Sequence, residues 1–170
     1  MHIRTPRLLL REMTQEDFPA LCRIMQDPAV MTPVYGAPFT ANEVQRWLER
    51  QLARYSTPGH GLMAVVLAET GAMIGQCGLT LQPWRGDQVL EVGYLFARDA
   101  WGRGYATEAA GACIAHAFSQ LNAPSVHAII PDFNAASRRV AERNGMRPAD
   151  SDTHIFRGRE MTFIRYDIHR

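Results

Sequence analysis

Residues 101 to 109 have the sequence Trp-Gly-Arg-Gly-Tyr-Ala-Thr-Glu-Ala, and this stretch decides how the rest of the chain is interpreted. It follows an apolar segment of strand character and opens a segment with helical periodicity. Glycines at 102 and 104 allow the backbone to bend and to approach a ligand closely. The first N–H groups of a helix carry about half a positive charge, which favours an anion such as a pyrophosphate. The stretch therefore predicts an anion site, although two glycines at this spacing also suit an ordinary strand-to-helix turn.

Upstream of this stretch, three apolar segments predict an antiparallel meander. They span residues 62–67, 73–81 and 89–96, and turn-forming residues separate them. No Gly-Lys-Ser/Thr ending follows the glycines, and a meander differs from a parallel dinucleotide-binding sheet. The sequence therefore disfavours a nucleotide triphosphatase and a dinucleotide-dependent dehydrogenase.

The remaining segments complete an α+β pattern. An opening strand and two helices precede the meander, with a proline-punctuated loop between the helices, and a helix, a buried strand, a further helix and two terminal strands follow it. In order, these are expected at residues 8–10, from Thr14, from Thr40, from Gly104 to about Leu121, at 126–130, from Asn134, and within 146–168. We expect a mixed, mostly antiparallel central sheet of about six or seven strands with about four helices on its two faces, in a single domain spanning residues 1–170.

Composition narrows the class of protein further. The formal net charge is +1, which gives no long-range attraction to nucleic acid or to an anionic membrane. No apolar run is long enough for a signal peptide or a membrane span, so a cytoplasmic location is expected. The three cysteines form no sequence-adjacent pair, and His116, His127 and His154 lack ligand spacing, so neither a disulfide framework nor a metal site is predicted.

Several segments together resemble the GNAT superfamily of acyl-CoA-dependent N-acyltransferases, and especially its RimJ/RimL-type branch, which acetylates ribosomal-protein N-termini. The matching segments are residues 5–11, 91–94, 101–109 and 134–146. Where the broad family pattern begins with Gln or Arg, this chain has Trp101, as is usual in that branch. The resemblance implies direct transfer of an acetyl group from acetyl-CoA to an amine, without a covalent acyl-enzyme.

The resemblance also implies where the co-substrate binds. Backbone amides of the loop are expected to hold the pyrophosphate, and the strand ending at Phe96 is expected to be splayed from its neighbour by a bulge, so that the backbone of Leu95 and Phe96 pairs with pantetheine amides. Asn134 and Ser137 are expected beside the cofactor, although Asn134 alone would be interpreted as a helix cap. The loop residues are Gly102, Arg103, Gly104, Tyr105, Ala106 and Thr107.

Two residues are candidates for proton transfer. Glu91 lies in an otherwise apolar strand, where an ionised carboxylate needs water or a partner; it either faces solvent or acts as a general base on the amine. By resemblance, Ser137 is the candidate acid that protonates the departing thiolate. Arginines 138, 139, 143 and 147 suggest a solvated helix face, from which one side chain could reach the 3′-phosphate of CoA.

The acceptor is the least determined part of the prediction. A protein or peptide α-amine is favoured, with a small amine such as an antibiotic or polyamine as the alternative, and a non-catalytic acyl-CoA sensor as a second. The first two helices and residues 83–87 are expected to line the acceptor cleft. The sequence is compatible with a monomer or a homodimer and does not identify the physiological acyl chain.

Overall fold

The computed structural model describes residues 2–57 and 59–170, in which the strands form one eight-stranded sheet. The strands are β1 (His2–Arg4), β2 (Leu8–Arg11), β3 (Gly61–Leu67), β4 (Met73–Trp84), β5 (Asp87–Phe96), β6 (Ser125–Pro131), β7 (Arg147–Phe156) and β8 (Arg159–His169). The α-helices are α1 (Phe18–Met25), α2 (Pro28–Tyr35), α3 (Ala41–Arg54), α4 (Tyr105–Ser119) and α5 (Ala135–Arg143).

The order of the strands confirms the predicted fold class. The sheet runs β1-β2-β3-β4-β5-β6-β8-β7, and neighbouring strands are antiparallel except for β5 and β6, which are parallel. The described chain has one or two strands more and one α-helix more than expected. The extra elements are the short strand β1 and the helix α2.

The helix α2 replaces part of the predicted loop because its start and its end carry helix-capping residues, and these outweigh the cost of Pro33 inside the helix. The side chain of Asp27 accepts a hydrogen bond from the N–H of Ala29 at 2.9 Å, which caps the helix. Pro28 occupies the first turn, where a missing N–H costs nothing, and Gly36 ends the helix at φ 85°. A residue pattern taken for chain breaks is thus a helix start.

Alternation along β3 separates the core into two layers. Met63 and Val65 face α4, whereas Leu62, Ala64 and Val66 face α1, α2 and α3. The α4 side is lined by small buried residues that let the helix lie close to the sheet, namely Ala109, Ala110, Cys113 and Ala117. Helices therefore cover both faces of the sheet at β3, which explains why consecutive residues of this strand are buried.

The sheet opens in its middle, between β5 and β6. β5 pairs with β4 along its full length, from Asp87 to Phe96, but it pairs with β6 at one position, Glu91 with His127. The predicted splay is present. The predicted bulge is not seen in the β4–β5 register, which continues without a shift, so the gap arises because β6 diverges from β5.

Candidate active site

A cavity of about 1240 Å³ lies where β5 and β6 diverge. Its walls come from α2, α3, β4, β5, the loop before α4, the first turn of α4, β6, α5 and the β7–β8 turn. With the exception of Arg103, the predicted site residues line it: Glu91, Leu95, Phe96, Gly102, Gly104, Tyr105, Ala106, Thr107, Asn134 and Ser137. The fold thus gathers residues from three separate segments around one space.

The loop before α4 presents backbone N–H groups to this cavity. Gly102 and Gly104 have φ of 73° and 78°, a left-handed conformation that other residues rarely adopt. No acceptor within the described chain pairs with the N–H groups of residues 102 to 104. Those of residues 105 to 107 lie in the first helical turn, where helix geometry supplies no acceptor. Six consecutive N–H groups without a backbone acceptor at a helix N-terminus have the character that favours an anion.

A side-chain network fixes this loop to the start of β2. Arg7 donates from Nε to Glu108 Oε2 at 2.6 Å and from Nη1 to the carbonyl of Arg103 at 2.9 Å. Thr5 Oγ1 donates to Glu108 Oε1 at 2.6 Å. Burial raises the pKa of Glu108, but these hydrogen bonds outweigh it and hold the pKa below its usual value. The network holds the carbonyl of Arg103, whose side chain is exposed and does not line the cavity, a detail that the sequence did not indicate.

Glu91 lies half-buried on the cavity wall, at the point where β5 and β6 meet. Its carboxylate accepts long hydrogen bonds of 3.4 Å from Thr80 Oγ1 and from the N–H of Ile129. Burial raises the pKa of Glu91 to about 7, and these donors and the charge of Arg54 counteract that rise in part. A carboxyl group with this pKa exchanges protons readily near neutral pH.

Asn134 and Ser137 stand at the start of α5. Asn134 Oδ1 accepts from the N–H of Ser137 at 3.1 Å, so Asn134 caps the helix while it also lines the cavity. The carbonyl of Ser137 accepts from the hydroxyl of Tyr94 at 2.8 Å, and burial raises the pKa of that tyrosine. Within the described residues the hydroxyl of Ser137 has no hydrogen-bond partner, which leaves it available to a ligand.

Leu95 and Phe96 end the strand that borders the gap. Their side chains pack into opposite layers of the core, as adjacent strand residues should. The carbonyl of Phe96 accepts from Trp101 Nε1 at 3.0 Å. Trp101 therefore ties the loop to the end of β5, which gives a structural reason for tryptophan at this position.

The four arginines of the α5 region have different surroundings. Arg139 and Arg143 line the cavity. Arg138 instead donates to the hydroxyl of Tyr166 at 3.0 Å and to the carbonyl of Asp132 at 3.1 Å. Arg147 begins β7 and lines a separate small depression. Two of the four are therefore placed to meet a ligand.

The end of the cavity remote from the loop is built from side chains. Aromatic rings come from three segments: Tyr35 and Phe39 pack at 5.3 Å, Phe39 and Trp47 at 6.2 Å, and Phe156 joins them from β7. Arginines 46, 50, 54 and 157 also line this end. Sequence reasoning missed the contribution of α2 and of the β7–β8 turn, because nothing in a sequence shows that these distant segments meet.

One expectation about the acceptor cleft was wrong. Neither α1 nor residues 83–87 supply a cavity-lining residue among those described. The β4–β5 turn is held against β7, where Trp84 Nε1 donates to Asp150 Oδ2 at 2.9 Å and Arg85 Nε forms an ion pair with the same oxygen at 2.9 Å. The helices that line the cleft are α2 and α3.

Other groups of chemical interest lie outside the cavity. The Sγ atoms of Cys77 and Cys113 are 3.7 Å apart in the core, although the two residues are distant in sequence. The described residues contain no group of three or more His, Cys, Asp or Glu side chains that could hold a metal ion. Among the helices of the described chain, each is too short or too polar to cross a membrane.

Comparison with known proteins identifies relatives along most of the chain. The profile of the acetyltransferase (GNAT) domain family matches residues 7–147. The uncharacterized protein YkkB of Bacillus subtilis is 36% identical over 143 residues, which cover 84% of this chain and 83% of that protein. An uncharacterized N-acetyltransferase of Bacillus licheniformis, p20, is 31% identical over 80% of this chain and 76% of its own length.

Solved structures agree with these relatives. An acetyltransferase from Agrobacterium tumefaciens superposes with a TM-score of 0.83 at 32% identity, covering 100% of this chain and 95% of its own. RimL, a ribosomal alpha-N-protein acetyltransferase solved with coenzyme A, reaches 0.83 at 16% identity, covering 99% of this chain and 98% of that one. At 16% identity, the likeness to RimL concerns the fold alone.

Proposed function

The chain belongs to the GNAT acetyltransferase family, and we propose that this N-acetyltransferase transfers the acetyl group of acetyl-CoA to the α-amine of a protein or peptide. The observation that carries the proposal is Glu91, whose carboxyl group lies half-buried on the cavity wall with a pKa of about 7. A base of this strength suits an α-amine better than a lysine side chain.

The cavity fits acetyl-CoA, which supplies an activated thioester. The free N–H groups of residues 102 to 107 suit a pyrophosphate, and Gly102 and Gly104 have the positive φ that allows the backbone to bend there. The unpaired side of β5 near Leu95 and Phe96 offers main-chain groups to the pantetheine amides, as a strand partner would. Asn134 and Ser137 border the same space, and the presence of Arg139 and Arg143 in its lining supports a contact with the 3′-phosphate.

Proton transfer decides the class of amine. Moving a proton from an α-ammonium of pKa about 8 to a carboxylate of pKa about 7 costs about 1.4 kcal/mol. The same transfer from a lysine ammonium of pKa about 10.4 costs about 4.6 kcal/mol. Glu91 therefore accepts the proton of an α-amine at little expense and that of lysine with difficulty.

The remaining steps are assigned to residues already described. The neutral amine attacks the thioester carbonyl, and backbone N–H groups beside the gap stabilise the charge that develops on oxygen. As the carbon–sulfur bond breaks, the hydroxyl proton of Ser137 passes to the departing thiolate, and the cationic nitrogen of the intermediate loses a proton that restores the hydroxyl; this hydroxyl has no other partner among the described residues. Tyr94 holds the carbonyl of Ser137 and so positions α5.

A panel of amines tests this function. The protein is incubated with acetyl-CoA and one of two peptides, and the release of free thiol is followed. One peptide has a free N-terminus and no lysine; the other has a blocked N-terminus and one lysine, and the two are otherwise the same. We expect the free N-terminal peptide to show a kcat/KM at least about tenfold higher, a conservative share of the difference in proton-transfer cost. Preference for the blocked lysine peptide, or for a polyamine over each peptide, would remove the α-amine assignment.

A further inference from the structure

The acceptor end of the cavity carries a concentration of positive charge that the net charge of +1 does not suggest. Four of its lining residues are arginines. Three of them, Arg46, Arg50 and Arg54, recur at helical spacing along α3 and share the face that also carries Trp47. The opposite face of the same helix carries the buried Val44 and Leu48, so the direction of the arginines is fixed by packing of the helix.

These cations lack partners of opposite charge. Among the ion pairs of the described residues, none involves Arg46, Arg50 or Arg54. Arg50 lies over the ring of Trp47, with its guanidinium carbon 5.1 Å from the ring centre. Arg54 donates to the neutral side chain of Gln51 at 3.3 Å. Some arginines elsewhere in the described chain are paired with a carboxylate, as Arg11 is with Asp17.

The carboxylates at this end do not balance the arginines. Glu43 accepts the N–H of Thr40 at 2.8 Å within the capping box of α3, and its ion pair with Arg157 is longer, at 3.5 Å. Glu91 is the other carboxyl group of the lining, and its pKa of about 7 leaves it partly protonated at neutral pH. Four guanidinium groups therefore face one ionised carboxylate and one that is half-ionised.

The arginines act on one another and on the same small region. The pKa of Arg54 is lowered mainly by desolvation and also by the nearby charge of Arg50. Burial and Glu91 raise the pKa of Tyr35, whereas Arg157 and Arg50 oppose that rise. Arg50, Arg54, Arg157 and Glu91 all line the same cavity. Several positive charges around one cavity favour an anion that joins them.

We propose that the acceptor is an anionic amine, namely a peptide whose N-terminal α-amine is followed closely by acidic residues, and that Arg46, Arg50, Arg54 and Arg157 bind its carboxylates. Guanidinium groups bind carboxylates in a fork geometry, and the aromatic rings between them supply the apolar contact for the peptide backbone. The same cations repel polyamines. This inference rests on the proposed function for the site and narrows its substrate class.

Isosteric peptides test the inference. Peptides that begin Ser-Glu-Asp, Ser-Gln-Asn and Ser-Lys-Lys and share all later residues are compared by kcat/KM with acetyl-CoA, and free glutamate is a further acceptor. We expect the acidic peptide to exceed its amide counterpart at least about tenfold and the basic peptide by more, and 0.5 M NaCl to reduce the ratio. Free glutamate turned over better than the acidic peptide would instead assign the site to a small anionic amine.

Variants show whether the arginines cause the preference. In the double variant R46Q/R50Q the ratio between acidic and amide peptides should fall toward one, mainly through a higher KM for the acidic peptide. Arg4→Gln makes a matched control, since Arg4 is exposed on β1 outside the cavity. The ratio between acidic and amide peptides in this variant should match that of the wild type. A wild-type ratio near one, or an unchanged ratio in the double variant, would overturn the inference.

The test of the arginine site can be told apart from the test of the α-amine as acceptor. If blocked lysine peptides prove to be the acceptors, the α-amine assignment is lost, and acidic and amide versions of those peptides then decide the role of the arginines. If no peptide reacts, calorimetric titration of the acidic and amide peptides measures the same preference without turnover. Equal affinities for the two would reject the arginine site.

Discussion

The two ends of the cavity are built by different means. At the end formed by residues 101–107, the ligand-binding groups are backbone amides whose direction depends on two glycines and a helix start. At the other end, the lining consists of aromatic and arginine side chains from α2, α3 and the β7–β8 turn. Backbone sites constrain local sequence strongly, whereas side-chain sites allow the residues to change while the fold persists. A co-substrate common to a family and an acceptor that varies within it are consistent with this division.

The largest effect is expected where the backbone itself is altered. Gly104→Val should weaken acetyl-CoA binding by about a hundredfold or more, because valine is strained at φ 78° and its side chain would meet Arg7 beside the amides. Calorimetry of the folded variant measures the change. Gly86→Val is the matched control. Gly86 also has a positive φ, of 90°, but it lies in a turn where an added side chain would meet no other residue. Wild-type affinity in Gly104→Val would show that the loop does not bind the pyrophosphate.

Glu91 lies between the two ends, and its replacement should affect catalysis alone. Glu91→Gln should lower kcat/KM by about 10²- to 10³-fold at pH 7, within the usual range for a general base. The wild-type rate should rise with pH as Glu91 loses its proton near pH 7, and the variant should lose that inflection and depend on the amine near pH 8.

A pH profile from 5.5 to 9.5 measures this shift, with exposed Glu69→Gln as the control of equal charge change. An inflection near 7 that persists in Glu91→Gln would assign it to another group.

A smaller effect is expected at the start of α5. Ser137→Ala should reduce kcat about tenfold or more and leave the affinity for CoA within about twofold, because a proton for the leaving group is needed only as the carbon–sulfur bond breaks. Tyr94→Phe removes the hydroxyl that donates to the carbonyl of Ser137 and so measures the effect of the position of α5 alone. If Ser137→Ala keeps turnover within about twofold of the wild type, an effect below roughly 0.5 kcal/mol, Ser137 is part of the helix start and not the acid.

The smallest effect concerns the side chains that brace the backbone end. Arg7→Gln removes a charge-assisted hydrogen bond to Glu108 and another to the carbonyl of Arg103, so the affinity for acetyl-CoA should fall by about fivefold, or ~1 kcal/mol. Arg4→Gln again makes the control. An unchanged affinity in Arg7→Gln would mean that the glycines and the helix start suffice to hold the loop.

The same division explains what could be predicted from the sequence. The loop, the meander and the helix α4 depend on local periodicity and on glycine positions, and these predictions are confirmed in the fold. The helix α2 was missed because Pro28 and Pro33 were taken as breaks, although Asp27 and Gly36 supply both caps. The family assignment is confirmed by the profile match over residues 7–147.

The acceptor end could not be predicted from the sequence because its residues are far apart along the chain. Arg50 and Arg157 come together only through the packing of the β7–β8 turn against α3, and an isolated arginine is ordinarily part of a solvated surface. The roles assigned to Glu91, Ser137 and the loop amides stay predictions, as do the α-amine acceptor and the cytoplasmic location.

The divergence of β5 from β6 gives this sheet a third edge. Most sheets have two edge strands, whose unpaired main-chain groups can recruit a strand from another molecule and begin aggregation. Here the additional edge borders the cavity, whose walls also include residues of α3 and α5. We expect this edge to be most accessible during folding, before both helices have docked. Variants that loosen α5 should aggregate in proportion to the time this edge stays open.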